Sequence, residues 1–473
     1  MSVLDIQSHR KAETLSGAGV RAQRLQLKLS QAKLAELTGV PQHLLSAFEL
    51  EKAELPAGLS TQIVRALADA DAVSQISSRR KRYRKHEYEA VQHRADRVKK
   101  HSRTTENRQL LAQIEELELQ RSQAPKDGPS AVALFSGCGG FSLGLTWAGF
   151  DIKGCIEVDD GLRKVYAANF PTTRFIGTDI TAVTDSTLAE FAKAEGPIDV
   201  LVGGPPCQGF SLAGKRDVCD PRNTLFRHYL RVLDATHPRV AVMENVRLLT
   251  SMRSPDGGFV RDEIANEFRR HGYKVRWFEV NAKDYGVPQH RDRILFVATR
   301  NDLNAEPSIP SPKFGESVDM FERKLPYRTF ADACSDLPFI ESGESSSDPF
   351  HIAVSHPKHV IEWLWDVPEG ASAHDNEDKH LRPPSGYNTT YKRQVWFEPG
   401  ATVQTTFGMI SGCRNVHPLA TRSLTVREAA RLQTFPDSFQ FLGSLQTVRT
   451  GIGNAVPPLL AYELGRYIQE KYL

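Results

Sequence analysis

From Ser130 onward the sequence reads as an α/β protein built on a mostly parallel, doubly wound sheet, preceded by an all-α unit. Three observations predict this. Apolar strand-like runs alternate with helical stretches after Ser130, the rhythm of strands joined by crossover helices. Short, capped, amphipathic helices fill about Gly19 to Ala70. Between about Asn301 and His417 the rhythm stops, in a stretch rich in Pro, Ser, Gly, aromatics and histidines that reads as an inserted domain of irregular or β character. The expected divisions are a helical unit 1–75, a basic helical linker 76–128, a first α/β part 129–300, the insert 301–420 and a final part 421–473.

Bulk properties fit a multi-domain globular enzyme or binding protein. A chain of 473 residues exceeds one ordinary domain. Its 40% hydrophobic and 25% charged residues are those of a globular protein. No apolar run approaches the ~18 residues of a membrane span, and Met1–Gln7 lacks the charged-then-apolar pattern of a secretory signal. A cytoplasmic location is expected. The cysteines, Cys138, Cys155, Cys207, Cys219, Cys334 and Cys413, form no Cys-x-x-Cys pair, which argues against a metal site or a disulfide framework. Most read as small buried hydrophobes. Net charge is only +3, but Arg79 to Arg103 is a basic tract interleaved with Tyr83, His86 and Tyr88. It suits a phosphate-binding footprint and a solvated linker helix equally.

In the first unit, Ser30 before Gln31–Leu37 is an N-cap and Gly39 a helix stop. Pro41 opens the next helix, where its missing N–H costs little. Leu34, Leu37, Val40, Leu45 and Phe48 have the spacing of a shared core. The segment Leu29–Val40 resembles the helix-turn-helix of the phage-repressor (Cro/C1-like) family, in which the helix after Pro41 enters the major groove. The resemblance offers Gln42, His43 and Ser46 as DNA-binding residues. Pro41, Leu44 and Ala47 stand where that family often has polar readers, and Glu51 stands where a glycine commonly follows the helix. A docking or dimerisation module is the other reading.

The α/β part carries the chemistry. Phe135-Ser136-Gly137-Cys138-Gly139-Gly140 joins its first strand to a helix starting near Phe141. Closely spaced glycines allow a tight turn and close backbone approach to a ligand, although purely structural turns use them too. The next two strands end in acids, Glu157 and Asp179. An acid ending the second strand commonly holds ribose hydroxyls, and for each acid a helix cap or surface charge is the plain alternative. The fourth strand runs into Gly203-Gly204-Pro205-Pro206-Cys207-Gln208-Gly209-Phe210-Ser211. Two prolines stiffen the backbone just before a cysteine leaving the sheet edge, which favours a fixed, accessible thiol. Glu244 ends the next strand in Glu244-Asn245-Val246. Gln289-His290-Arg291-Asp292-Arg293 then sets two arginines on one face of an extended segment.

Together these segments resemble the cytosine-C5 methyltransferase family, from Ala131 to Leu473. Pro-Pro-Cys-Gln, Glu-Asn-Val and Gln-x-Arg-x-Arg stand in its order, and Arg422–Gln433 and Gly453-Asn454-Ala455-Val456-Pro457-Pro458 match its last two blocks. The resemblance implies a Rossmann-like methyltransferase domain, completed by the last segment and interrupted by a small target-recognition domain. It implies that Cys207 adds to C6 of a flipped cytosine in double-stranded DNA, with Glu244, Arg291 and Arg293 as the other catalytic residues. Arg291 would contact O2 and help position the thiolate, and Arg293 would orient Glu244.

The methyl donor it implies is S-adenosyl-L-methionine. The residues that would hold it are Phe135, Cys138, Gly139, Gly140, Glu157, Asp179, Ile180, Pro206, Leu225, Asn454 and Val456. Ala133 stands where the family often has an acid, and Val158 where it often has an aromatic ring. Gln208, Ser211, Lys215 and Arg216 lie in the counterpart of its mobile loop and would meet DNA. In the insert, Tyr387–Arg393 and Thr402–Phe407 are candidates for groove contact, with domain packing as the alternative.

Two other functions stay open at this point: a tRNA-methylating relative, and a transcriptional regulator with secondary or lost catalysis. The insert and helix-turn-helix speak against the first, and the intact Cys207, Glu244, Arg291 and Arg293 against the second. A dual role, with 1–75 acting on promoter DNA as a dimer, is compatible with all of these residues.

Overall fold

The computed structural model describes residues 16–27, 29–55, 59, 62–67, 96–101, 107–123, 128–206, 225–253, 257–316 and 324–473. They divide into two compact units between Asp96 and Arg97.

In the first unit, α1 (Gly17–Gln26), α2 (Gln31–Thr38) and α3 (Gln42–Glu49) precede a helical stretch at 62–67. The Ser30 hydroxyl accepts from the Lys33 N–H at 3.1 Å, and Gly39 ends α2 in the left-handed region at φ 66°. Val20, Leu34, Val40, Leu45, Ile63 and Leu67 form the core. Leu37 does not join it and is 49% exposed. The buried face of α2 runs through Leu34 and Thr38, four residues apart, which turns Leu37 outward. Phe48 is only partly buried against this core. Arg24 reaches Glu49 through two bonds of 2.7 and 2.8 Å, and the Gln31 amide donates to the same carboxylate. That buried pair ties all three helices together.

The second unit holds α4 (Asn107–Gln123), then β1 (Ser130–Leu134), α5 (Gly140–Trp147), β2 (Asp151–Ile156), α6 (Asp160–Asn169), β3 (Arg174–Gly177), α7 (Asp185–Glu195) and β4 (Val200–Gly203). After them come α8 (Leu225–Thr236), β5 (Val240–Val246), α9 (Val260–Arg270), β6 (Tyr273–Asn281) and β7 (Asp292–Arg300). Among the described residues these strands form one seven-stranded sheet in the order β3-β2-β1-β4-β5-β7-β6. β1 to β5 pair in parallel, while β7 runs antiparallel between β5 and β6. Along β1, Ala131 and Ala133 enter one core and Val132 and Leu134 the other, so both faces of the sheet are covered. β6 has no counterpart among the expected strands. It is an edge strand carrying Lys274, Arg276 and Glu279, and charge masks its alternation.

The insert contains α10 (Phe330–Cys334), α11 (Lys358–Leu364) and isolated bridges, and is otherwise irregular among its described residues. The chain then returns to the sheet through α12 (Val426–Leu432), α13 (Leu445–Asn454) and α14 (Pro458–Tyr472). α14 packs so closely on α5 that a Cβ at Gly144 would lie 2.2 Å from the Pro458 carbonyl oxygen. The stretch read as a linker contributes two pieces to this unit. α4 buries Leu110, Ile114 and Leu117 in the larger core, and residues 97–101 lie against the insert.

Candidate active site

One cavity of about 670 Å³ opens at the carboxyl ends of β1 to β5, where doubly wound sheets place their ligands. Its first half is built from the turns after β1, β2 and β3. Phe135 leaves β1 at φ 52°, a left-handed conformation that costs a non-glycine residue about 1 kcal/mol, and its ring packs partly against the core. Glu157, just after β2, accepts from the backbone N–H of Gly137 at 2.7 Å and of Asp159 at 2.9 Å. Burial pushes its pKa up against those two donors. Asp179, after β3, accepts from the Thr181 N–H and hydroxyl at 2.9 and 2.8 Å through Oδ1, and these bonds hold its pKa below the ordinary carboxylate range.

Gly140, Ile180, Pro206, Leu225, Asn454 and Val456 also line the cavity. Cys138 and Gly139, from the same predicted set, shape the turn instead. The Cys138 thiol donates to the Gly451 carbonyl at 3.2 Å, and burial lifts its pKa to about 12. Gly139 sits where a Cβ would strike the Phe170 ring at 2.3 Å. Ala133 and Val158 both reach the cavity wall, Val158 with 68% of its surface exposed.

The second half comes from β4, β5 and β7. Glu244 and Arg293 face one another as an ion pair with Nε 2.6 Å from Oε1. The Asn245 side chain donates to the Pro205 carbonyl at 2.9 Å, which ties the end of β5 to the segment after β4. Sequence reasoning gave Asn245 no role, though it stands inside a quoted motif. Arg291, expected to reach a base oxygen, has its two terminal nitrogens committed elsewhere. Nη1 donates to the Val403 carbonyl at 3.1 Å and Nη2 to that of Gly453 at 3.0 Å. Burial, with Arg293 nearby, pushes its pKa down. Arg291 thus joins the insert to α13 while still lining the cavity.

Cys207, Gln208, Ser211, Lys215 and Arg216 fall in 207–224, outside the described residues. In the first unit Gln42 and His43 are exposed on α3, and Ser46 is half-buried. Some of the insert candidates are interior. Arg393 is buried and donates to the carbonyls of Val367, Leu364 and Ala420, while Val403 and Phe407 are core side chains. Tyr387, 81% exposed, and the exposed Gln404 and Thr406 remain on the surface. In the basic tract, Arg97 donates to the Trp365 carbonyl and the Thr421 hydroxyl, and Lys100 pairs with Glu369. Those two cations answer protein acceptors rather than phosphates.

The sequence family model of C-5 cytosine-specific DNA methylases matches residues 130–470. This chain belongs to the C-5 cytosine-specific DNA methylase family. Similar proteins include the Type II methyltransferase M1.HphI of Haemophilus parahaemolyticus, 38% identical over 71% of this chain and 86% of the relative. The Type II methyltransferase M.DdeI of Desulfomicrobium norvegicum is 34% identical over 71% and 88%. Among solved structures, an Escherichia coli prophage-encoded protein described as a DNA modification methyltransferase superposes with a TM-score of 0.56 at 27% identity, covering 72% of this chain and 99% of that one. The methylase match begins on β1 and ends within α14, so it takes in the insert and leaves out the first unit. The chain is therefore a DNA cytosine-C5 methyltransferase of the Type II modification kind. Among the methylase's described residues, no helix is long and apolar enough to cross a membrane, and no group of three or more His, Cys, Asp or Glu side chains could hold a metal ion.

Proposed function

We propose that this methylase modifies C5 of a cytosine extruded from double-stranded DNA, with Cys207 as nucleophile and S-adenosylmethionine as donor. The observation that carries the reading is that one cavity is lined by Glu244 and Arg293 together with Phe135, Glu157 and Asp179. Its volume lies within the range of small-molecule sites. The residues fit the donor: an aromatic face at Phe135 for a purine, and carboxylates at Glu157 and Asp179 for hydroxyls and an exocyclic amine. When bound there, S-adenosylmethionine supplies an electrophilic methyl group.

The chain's own groups do the rest. Cytosine C5 is a poor nucleophile, and addition of the Cys207 thiolate at C6 turns C5 into the carbon of an enamine. Glu244 holds N3 and the exocyclic amine as charge builds on the ring, and the Arg293 guanidinium beside it fixes its direction. Arg291 is better supported as a positioning residue, given its two carbonyl partners. Loss of the C5 proton then expels Cys207 and restores the ring. We assign the insert 301–420 to target recognition, 421–473 to completing the catalytic fold, and the helical unit, through Gln42, His43 and Ser46, to a separate contact with duplex or promoter DNA. The capped α2 and the exposed start of α3 support this last assignment.

Cys207→Ala is expected to abolish methyl transfer while duplex binding persists. Incorporation of labelled methyl into DNA, with bisulfite sequencing to read the base and its context, checks this. Turnover by the variant would refute the covalent route.

A further inference from the structure

Among the described residues, Arg449 is a cation without an anion. Its Nε is buried and bonded to nothing. Burial pushes its pKa down, and no carboxylate opposes that shift. The guanidinium carbon lies 5.9 Å from the centre of the Phe407 ring. Its head rests on Gly408, where a Cβ would stand 2.2 Å from Nη2 and 2.3 Å from the guanidinium carbon. Only glycine leaves room for it.

Buried arginines elsewhere are answered: Arg24, Arg422, Arg427 and Arg431 by the carboxylates of Glu49, Glu428, Asp348 and Asp437, and Arg291 and Arg393 by backbone carbonyls. A partly desolvated charge is costly unless something answers it, and an unanswered one in a folded protein points to an outside partner.

Its position says which partner. Arg449 lies on α13 one turn before Gly453, and residues four apart share a helix face. Gly453 packs on Thr405 and gives its carbonyl to Arg291, which lines the cavity. Arg449 thus lies on the same seam between the insert and α13, about 6 Å away along the helix axis. DNA whose target base enters the cavity must run its backbone past the rim of that cavity. The head group is a planar fork suited to two oxygens of one phosphate.

We propose that Arg449 binds a backbone phosphate of the DNA strand carrying the target cytosine. The proposal rests on the methylation reading for the identity of the strand, but the readouts that decide it, duplex affinity and its salt slope, need no turnover.

Full-length wild type, Arg449→Gln, Arg449→Lys and Gly408→Ala are compared on a duplex containing the methylated site and on an unrelated duplex of equal length, across a salt series. Arg449→Gln is expected to weaken both complexes by a similar factor of about ten. It should flatten the slope of log affinity against log salt by about one ion and raise KM for DNA more than it lowers kcat. Arg449→Lys should restore the slope but only part of the affinity. Gly408→Ala, which displaces the guanidinium without removing its charge, should reproduce the loss of affinity even if the glutamine variant folds poorly.

Unchanged affinity and slope in Arg449→Gln would overturn the proposal. So would a rise in KM for S-adenosylmethionine with DNA binding intact, which would assign the arginine to the donor's carboxylate. Displacement by free inorganic phosphate as effective as that by duplex would reduce it to a general anion site and overturn it too. Failure of wild type to methylate any duplex would defeat the methylation reading while leaving the slope to judge Arg449.

Discussion

Glu244 gains its direction from Arg293, held 2.6 Å away on the neighbouring strand. In the proposed mechanism this acid accepts from the exocyclic amine and shares a proton with N3, which itself only accepts. Glu244→Gln preserves shape and removes that chemistry. Single-turnover methyl transfer is expected to fall by roughly a hundredfold or more, with duplex affinity changed far less. A variant transferring methyl at the wild-type rate would remove Glu244 from the chemistry. The cavity positions of Glu244, Arg291 and Arg293 were legible because each sits in a short, ordered motif. Their supports were not. The acceptors of Arg291 lie 112 and 162 residues further along the chain, and no local pattern announces a partner so distant. The interior role of Arg393 was hidden differently, because its acceptors, 26 to 29 residues away, are backbone carbonyls that every residue possesses.

Among the elements, residues 97–101 and α4 depart furthest from the expected linker. His101 is buried between the Trp396 ring, at 4.9 Å, and the Phe339 ring, at 5.7 Å, while Arg97 reaches across to Trp365 and Thr421. α4 covers the large core with Leu110, Ile114 and Leu117, and Glu118 accepts from the Trp147 indole at 2.6 Å. Two deletions should therefore differ sharply. Removing 1–75 is expected to leave methylation largely intact while altering binding to any regulatory site. Removing 1–123 should uncover the core and yield aggregated, inactive protein. Methylation assays and size-exclusion profiles of the two chains check this, and an active 124–473 chain would contradict it. Strand–helix alternation revealed most of the sheet, because apolar runs on a doubly covered sheet need no partner to be recognised. Charge in the basic tract was ambiguous, since composition does not distinguish a phosphate from a carbonyl as the acceptor.

For the whole molecule, acid is the informative perturbation. Burial lowers the pKa of His101 from 6.5 to about 4, and that of His356 similarly. A depressed pKa means that the unfolded chain takes up protons which the folded chain refuses. Stability is thus complete above pH 6.5 and drains away as the pH falls toward 4. The His101 share is on the order of 3 kcal/mol. His101→Phe keeps an aromatic ring in the slot without a titrating group, so denaturation midpoints of this variant should depend less steeply on pH across that window. An unchanged pH slope would show that His101 is not the sensor.

The Cys138 thiol donates to a carbonyl 313 residues further on, at Gly451, and a Cβ at Gly140 would lie 2.4 Å from the Val456 carbonyl oxygen. One wall of the cavity is therefore laid down last. On the ribosome, the motifs that open the cavity emerge before the α13 and α14 region that supplies its other wall, and wait some 313 residues for it. A chain cut short before α13 would therefore lack that wall and leave the chamber open.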